Sequence, residues 1–221
     1  MNIAGFQKTS FVDYPNVIAS VIFTKGCNMR CAYCHNKHIL SADAPTVSES
    51  DVLEYLLKRK DMIKGVVITG GEPTLQGDLL EFIQRIKAFG FKIKLDTNGL
   101  NIDVLKKVCN SKLVDYIAMD VKASLDKYSD VCGVKIDIER IKESIKVIKE
   151  SGIEHEFRTT FCPELTKEDV VEISNMIDGS DFYLQQYRQV EGGREPHLPS
   201  YVNETADMIL QSGRKCVVRG L

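Results

Sequence analysis

The chain has 221 residues, 43% of them hydrophobic and 27% charged, with a formal net charge of -2. That balance suits one soluble globular domain spanning 1–221. It excludes the strong basic excess of a nucleic-acid binder, and no run is long enough to cross a membrane. The start, Met1 to Lys8, lacks the basic and long apolar parts of a signal peptide, so the cytoplasm is the expected setting, with neither nucleic acid nor membrane as partner.

In chain order, apolar runs rich in β-formers predict strands at 17–23, 66–69, 91–96, 116–120, 155–161 and 181–186. A helix over 48–60 opens with Ser48-Glu49-Ser50-Asp51, which supplies capping groups and acids, and it places Val52, Leu53, Leu56 and Leu57 on one face. A second, over 79–89, gathers Leu79, Leu80, Ile83 and Ile86 and stops at Gly90. Segments 102–109, 138–149 and 166–177 repeat the pattern, with a last helix over 203–212 and a last strand over 215–219. Strand and helix alternate at roughly thirty-residue spacing, which implies parallel strands and right-handed crossovers. Six units are too few for a closed eightfold barrel. The expected class is α/β, a partial open (β/α)6 barrel of parallel strands, with a doubly wound open sheet as the alternative. The longest irregular stretch, 27–45, follows the first strand, where such folds place chemistry.

That stretch holds three of the seven cysteines, Cys27, Cys31 and Cys34, in Cys-x3-Cys-x2-Cys spacing. An odd count, with Cys109, Cys132, Cys162 and Cys216 scattered singly, is no disulfide framework. The singletons read as small buried hydrophobes and the cluster as metal ligands. Three cysteines suit a four-iron cluster with one iron left open to substrate. A structural zinc is the alternative, with His35 as fourth ligand, but His35 directly adjoins Cys34 and no second Cys-x2-Cys exists.

Polar residues follow the apolar strands at their ends. Gly70 and Gly71 in Thr69-Gly70-Gly71-Glu72-Pro73 let backbone approach a ligand. Asp96, Thr97 and Asn98 end the third strand, and Asp120 and Lys122 follow the fourth. Arg158 interrupts the fifth, where a charge must be paired or face a polar cavity. In the sixth, alternation leaves open whether Gln185 or Gln186 faces inward; Gln186 is the preferred reading. His38, His155 and His197 read as surface or packing residues, and 191–196 as a connecting loop.

The cysteine spacing with Tyr33 before the last cysteine resembles the signature of the radical S-adenosylmethionine (SAM) superfamily, and Gly70-Gly71-Glu72-Pro73 resembles its SAM-binding segment. The resemblance implies one 4Fe-4S cluster on Cys27, Cys31 and Cys34, with the open iron chelated by SAM. It also implies Tyr33 beside the adenine and Gly70, Gly71 and Glu72 at the methionine amino group. Arg158 would reach the SAM carboxylate or ribose, and Gln186 the adenine edge. The ends around Asp96, Thr97, Asn98, Asp120 and Lys122 are similar to those of glycyl-radical-enzyme activases, which implies a place around SAM and a monovalent cation near Asp96 and Asp120.

The opening, Gly5 to Pro15, together with Phe23 to Cys27 and Cys34-His35-Asn36, resembles activating proteins of anaerobic ribonucleoside-triphosphate reductase. Asn16 stands where such proteins more often carry Gly. Residues 37–65 hold no cysteine, so a single cluster is expected. The implied partners are the large subunit of the reductase and flavodoxin or ferredoxin as electron donor. Two other readings are an activase of another glycyl-radical enzyme, such as pyruvate formate-lyase, and a small-molecule radical SAM enzyme similar to 7-carboxy-7-deazaguanine synthase.

Overall fold

The computed structural model describes residues 1–41 and 43–221; of the irregular stretch 27–45, Ala42 lies outside the described residues. Eight strands form one sheet in sequential order: β1 (Ile3–Ser10), β2 (Ala19–Thr24), β3 (Gly65–Gly70), β4 (Lys92–Thr97), β5 (Tyr116–Asp120), β6 (Glu154–Phe161), β7 (Asp181–Gln186) and β8 (Val217–Arg219). Strands β2 to β8 are parallel, and β1 lies antiparallel on the outer edge of β2. Among the described residues the sheet runs from β1 to β8 without closing, which is the expected open barrel with an added strand at its start. β1 escapes sequence pattern because Ile3 to Ser10 mixes apolar and polar residues around Gly5, and its pairing is interrupted twice by register shifts.

Helices α1 (Glu49–Arg59), α2 (Leu79–Ala88), α3 (Ile102–Ser111), α4 (Tyr128–Cys132), α5 (Ile138–Glu150), α6 (Lys167–Met176) and α7 (Pro199–Gln211) connect the strands. Caps fix several starts. Ser48 Oγ accepts from Asp51 N (3.3 Å), and Thr166 with Asp169 forms a reciprocal capping box on α6. α4, only five residues long, has too few turns to show a helical period. None of the helices among the described residues is long and apolar enough to cross a membrane.

Parallel register sorts every strand residue onto one of two faces. Ile22, Ile68, Leu95, Ile117, Phe157 and Leu184 face the helices and are buried against Leu56, Phe82, Ile86, Leu105, Ile141, Ile145 and Ile173. Each such side chain contributes about 1.5–3 kcal/mol on burial, so this layer supplies most of the driving force for folding. The other face is graded along its length. At the N-terminal ends of the strands Ala19, Val21, Val67, Tyr14 and Tyr116 make an apolar plug. Toward the C-terminal ends the same face carries Lys94, Asp96, Asp120, Glu156 and Arg158.

Asn16, at φ +60°, adopts the left-handed backbone that Asn tolerates better than most residues. All seven cysteines are free, and Cys109, Cys132, Cys162 and Cys216 are buried as expected. His155 and His197 are packed into hydrogen bonds with backbone carbonyls.

Candidate active site

The cysteine loop leaves the C-terminal end of β2 and is held mainly by backbone. Gly26 N donates to Ile39 O (3.0 Å), Cys34 N to Cys31 O (3.1 Å) and Met29 N to Cys27 Sγ (3.4 Å), while the Met29 side chain is buried beneath. Arg30 folds back over the loop, its guanidinium donating to Cys27 O (2.6 Å) and Met29 O (2.8 Å). The three thiol-bearing residues thereby line one cavity of about 260 Å³, partly open to solvent.

The end of β3 forms the adjoining wall. Gly71 N donates to Thr24 O (2.9 Å) and Glu72 N to Gly26 O (2.8 Å), so this segment is laced to the root of the cysteine loop. The approach leaves no room for side chains: a Cβ at residue 71 would sit 1.8 Å from Gly26 O, and one at residue 70, where φ is +115°, 2.4 Å from Thr24 N. Glu72 turns inward and is buried. Its Oε1 accepts from Thr74 N (3.0 Å), Thr74 Oγ1 (2.6 Å) and Thr97 Oγ1 (2.8 Å), and its Oε2 from Asn98 N (2.7 Å). Burial pushes its pKa up against those donors. Asn98 continues the lacing, its Nδ2 donating to Asn28 Oδ1 (2.8 Å) and lying 3.8 Å from Cys27 Sγ.

Charge pairs build the floor. Arg158 Nε donates to Asp120 Oδ1 (2.8 Å) and its Nη1 to Asp96 Oδ2 (3.1 Å). Lys94 Nζ reaches Asp96 Oδ1 (2.6 Å), and Lys122 Nζ reaches Asp120 Oδ2 (2.9 Å). Behind them Arg219 grips buried Glu156 through both oxygens (3.1 and 3.2 Å) and stacks on Tyr183. Burial raises the carboxyl pKa values of Asp96 and Asp120, but Arg158 and the two lysines overcome it and hold both below the usual carboxylate range. Burial likewise opposes the charge on Lys122, and Asp120, Tyr33 and Cys31 restore it.

The cavity gathers Cys27, Cys31, Cys34, Tyr33, Gly70, Gly71, Glu72, Asp96, Thr97, Asn98, Asp120 and Lys122, all expected from sequence. Two expected residues fall outside its lining. Arg158 lies below, bonded to Asp96 and Asp120, because its strand position faces those acids across β5. Gln186 pairs in register with Phe161 on the helix side and donates to His197 O (2.9 Å), whereas Gln185 pairs with Thr160, a cavity residue. The preference for Gln186 as the inward residue is therefore corrected to Gln185. Thr160 went unremarked in the sequence, although it alternates with Arg158 and shares its face.

The residues present fit an iron–sulfur cluster and a polar ligand. Three free thiols share one cavity with a lysine beside them. The buried Tyr33 hydroxyl has no hydrogen-bond partner among the described residues, so a polar group is wanted there. A family model described as the radical SAM superfamily matches residues 21–177. The chain belongs to that superfamily.

Among its relatives, a protein of Methanocaldococcus jannaschii described as "Putative glycyl-radical enzyme activating enzyme" is 36% identical over 84% of this chain and 79% of its own. Pyruvate formate-lyase-activating enzyme of Clostridium pasteurianum is 27% identical over 79% of this chain and 75% of its own. GTP 3',8-cyclase of Helicobacter pylori is 30% identical over 86% and 62%. Among solved structures, Streptococcus suis SuiB bound to S-adenosylmethionine superposes with a TM-score of 0.72 at 19% identity; it covers 93% of this radical SAM protein, which spans about half (52%) of SuiB. That likeness shows the fold. The match to the superfamily carries with it an enzyme that uses a 4Fe-4S cluster and SAM.

Proposed function

We propose that this radical SAM enzyme, as a single domain, activates a glycyl-radical enzyme, namely anaerobic ribonucleoside-triphosphate reductase. The observation that carries the reading is one cavity, at the C-terminal ends of an unclosed sheet, that joins three thiols to the Gly70-Gly71-Glu72 wall and the Asp96–Asp120 floor. Similarity to activating enzymes supports the class of target. An open edge suits a loop of a partner protein better than a sealed chamber does.

Cys27, Cys31 and Cys34 would hold the cluster, which when bound supplies the electron that splits SAM into methionine and a 5′-deoxyadenosyl radical. Around it each residue has a positional task. Gly70 and Gly71 present backbone to the methionine amino group, and Glu72 clamps that wall to the end of β4 through Thr97 and Asn98. Tyr33 offers its unpartnered hydroxyl and ring to the adenosine portion. Lys122 is a cation for the SAM carboxylate, and Asp96 and Asp120 face the ribose. Arg158 acts from below by fixing both acids, and Gln185 takes the inward place on β7. A monovalent cation near Asp96 and Asp120 would share their oxygens with Lys94, Lys122 and Arg158, each of which already bonds to one or both acids. Reduced flavodoxin or ferredoxin is the proposed donor, and the cytoplasm the setting, where seven free thiols stay reduced.

The test mixes anaerobically reconstituted, reduced protein and SAM with the reductase. A glycine-centred doublet in electron paramagnetic resonance, with one 5′-deoxyadenosine per radical, is the expected result. A loaded enzyme that gives no doublet removes this target. A small-molecule substrate is the second reading, favoured by the similarity to GTP 3',8-cyclase. In the same assay, 5′-deoxyadenosine formed on adding GTP but not on adding the reductase would favour it.

A further inference from the structure

Lys94 is a buried charge that the proposed chemistry leaves without a task. It lies on β4, paired in register with Val67 of β3 and Tyr116 of β5, both residues of the apolar plug. Only 2% of it is exposed, and it does not line the cavity above. A lysine carries three N–H donors, yet among the described residues Lys94 Nζ has one partner, Asp96 Oδ1 at 2.6 Å. An ammonium placed on apolar neighbours is costly unless an opposite charge compensates it, so Asp96 accounts for its position. Every oxygen of the acid pair already accepts from a cationic group: Asp96 Oδ1 from Lys94, Asp96 Oδ2 and Asp120 Oδ1 from Arg158, and Asp120 Oδ2 from Lys122. Glu156, the neighbouring acid, is matched by Arg219. Three cations thus face Asp96 and Asp120, one more than two negative charges need, and Coulomb repulsion in this interior opposes a fourth. Without Lys94 the charges would balance two against two, and Asp96 Oδ1 would be left bare.

We propose that Lys94 is a positioning residue whose ammonium serves Asp96 and Asp120 as a built-in monovalent cation, in place of a free one. The inference rests on the reading of this floor as part of the SAM site. Lys94 holds Asp96 from below, Asp96 lines the cavity, and Arg158 passes the same order on to Asp120. A side chain supplies this charge in every salt, whereas a bound ion supplies it only in proportion to its occupancy.

The test measures SAM affinity and the urea midpoint of the anaerobically reconstituted full chain in choline chloride, whose cation is too large to enter, and in potassium or ammonium chloride at equal ionic strength. The parent should bind SAM equally in all three salts. Lys94→Ala, which removes the charge and leaves room, should bind about tenfold more weakly in choline chloride and recover in potassium or ammonium chloride. Lys94→Met, which fills the space without a charge, should be weakened in every salt. The midpoints should follow the same pattern. Lys92→Ala removes an exposed lysine of the same strand and should change neither readout. A parent whose affinity rises on replacing choline by potassium would overturn the proposal, because its acids would then take a free cation. So would a Lys94→Ala variant that potassium and ammonium do not restore, or one at the parent affinity in choline chloride, since the first reports packing alone and the second no role. A parent that binds no SAM in any salt would instead refute the reading on which the proposal rests, and the salt dependence of the midpoints would then decide the proposal by itself.

Discussion

Glu72 in the wall and the pair Asp96 and Asp120 in the floor are carboxylates of one cavity, yet burial leaves them on opposite sides of their ordinary pKa. Glu72 meets only neutral donors, from Thr74, Thr97 and Asn98, and desolvation prevails, so its pKa rises. Asp96 and Asp120 meet Arg158, Lys94 and Lys122, and the cations prevail, so theirs fall. Glu72 is the more deeply buried and meets no cation, whereas Asp96 and Asp120 keep some exposure and are paired with cations, and both differences favour the charged form in the floor. The wall is thus held by shape and by oriented dipoles, and the floor by charge balance.

Removing the central cation breaks this contrast most severely. Arg158→Leu leaves two partly buried carboxylates with a lysine each, so the cost should approach but not reach the roughly 3–5 kcal/mol of losing a partner from a fully buried pair. The urea midpoint should fall accordingly. An unchanged midpoint would mean that the floor is not held by charge.

The next effect is steric. Gly71→Ala would place a methyl 1.8 Å from Gly26 O, so the cysteine loop must move. Overpacking of this kind costs about 1–3 kcal/mol. Iron retained after reconstitution should drop more than stability does, because the loop carries Cys27. Equal iron content in the two proteins would count against the backbone lacing.

Glu72→Gln acts on the wall alone, with a smaller effect. Three donors converge on Oε1 and one on Oε2, so a single amide leaves at least one donor facing an N–H. A cost of about 1–3 kcal/mol follows for a buried unsatisfied group.

Acid should separate the two regions by sign. The folded pKa values of Asp96 and Asp120 lie below those of the unfolded chain, so their stabilisation is present above about pH 4 and fades as pH falls through the folded values. Glu72, with a raised folded pKa, contributes the reverse: relative stability gained on acidification and lost as pH rises through its folded value. The unfolding free energy of the parent should therefore rise relative to that of Glu72→Gln as pH falls from 7 toward 3, because only the parent carries the titrating wall carboxyl. A difference between the two proteins that stays constant over that range would contradict the raised value of Glu72.

The helix–strand alternation was legible because each of β2 to β7 is an apolar run facing a helix that repeats every turn. β1 was not, since Gln7, Lys8 and Thr9 are exposed in a row within it, and α4 was too short to display a period. Most cavity residues were legible because polar groups directly following apolar strands have few places to go but the barrel mouth. Arg158 could be recognised as a charge needing partners, but its partners sit on β4 and β5, and only register brings them together. Gln185 and Gln186 differ by one position, and a period of two assigns them to opposite faces only once a neighbouring strand is fixed.

In the proposed function Cys27, Cys31 and Cys34 would hold the cluster, and the Gly70–Glu72 wall and the Asp96–Asp120 floor would bind SAM beside it. Electron paramagnetic resonance of the anaerobically reconstituted, reduced protein tests it most directly. About four irons and four sulfides per chain are expected, with a reduced-cluster signal whose shape changes on adding SAM and which is lost in Cys27→Ala, Cys31→Ala or Cys34→Ala. A signal indifferent to SAM, or one retained when any of the three cysteines is replaced, would contradict it.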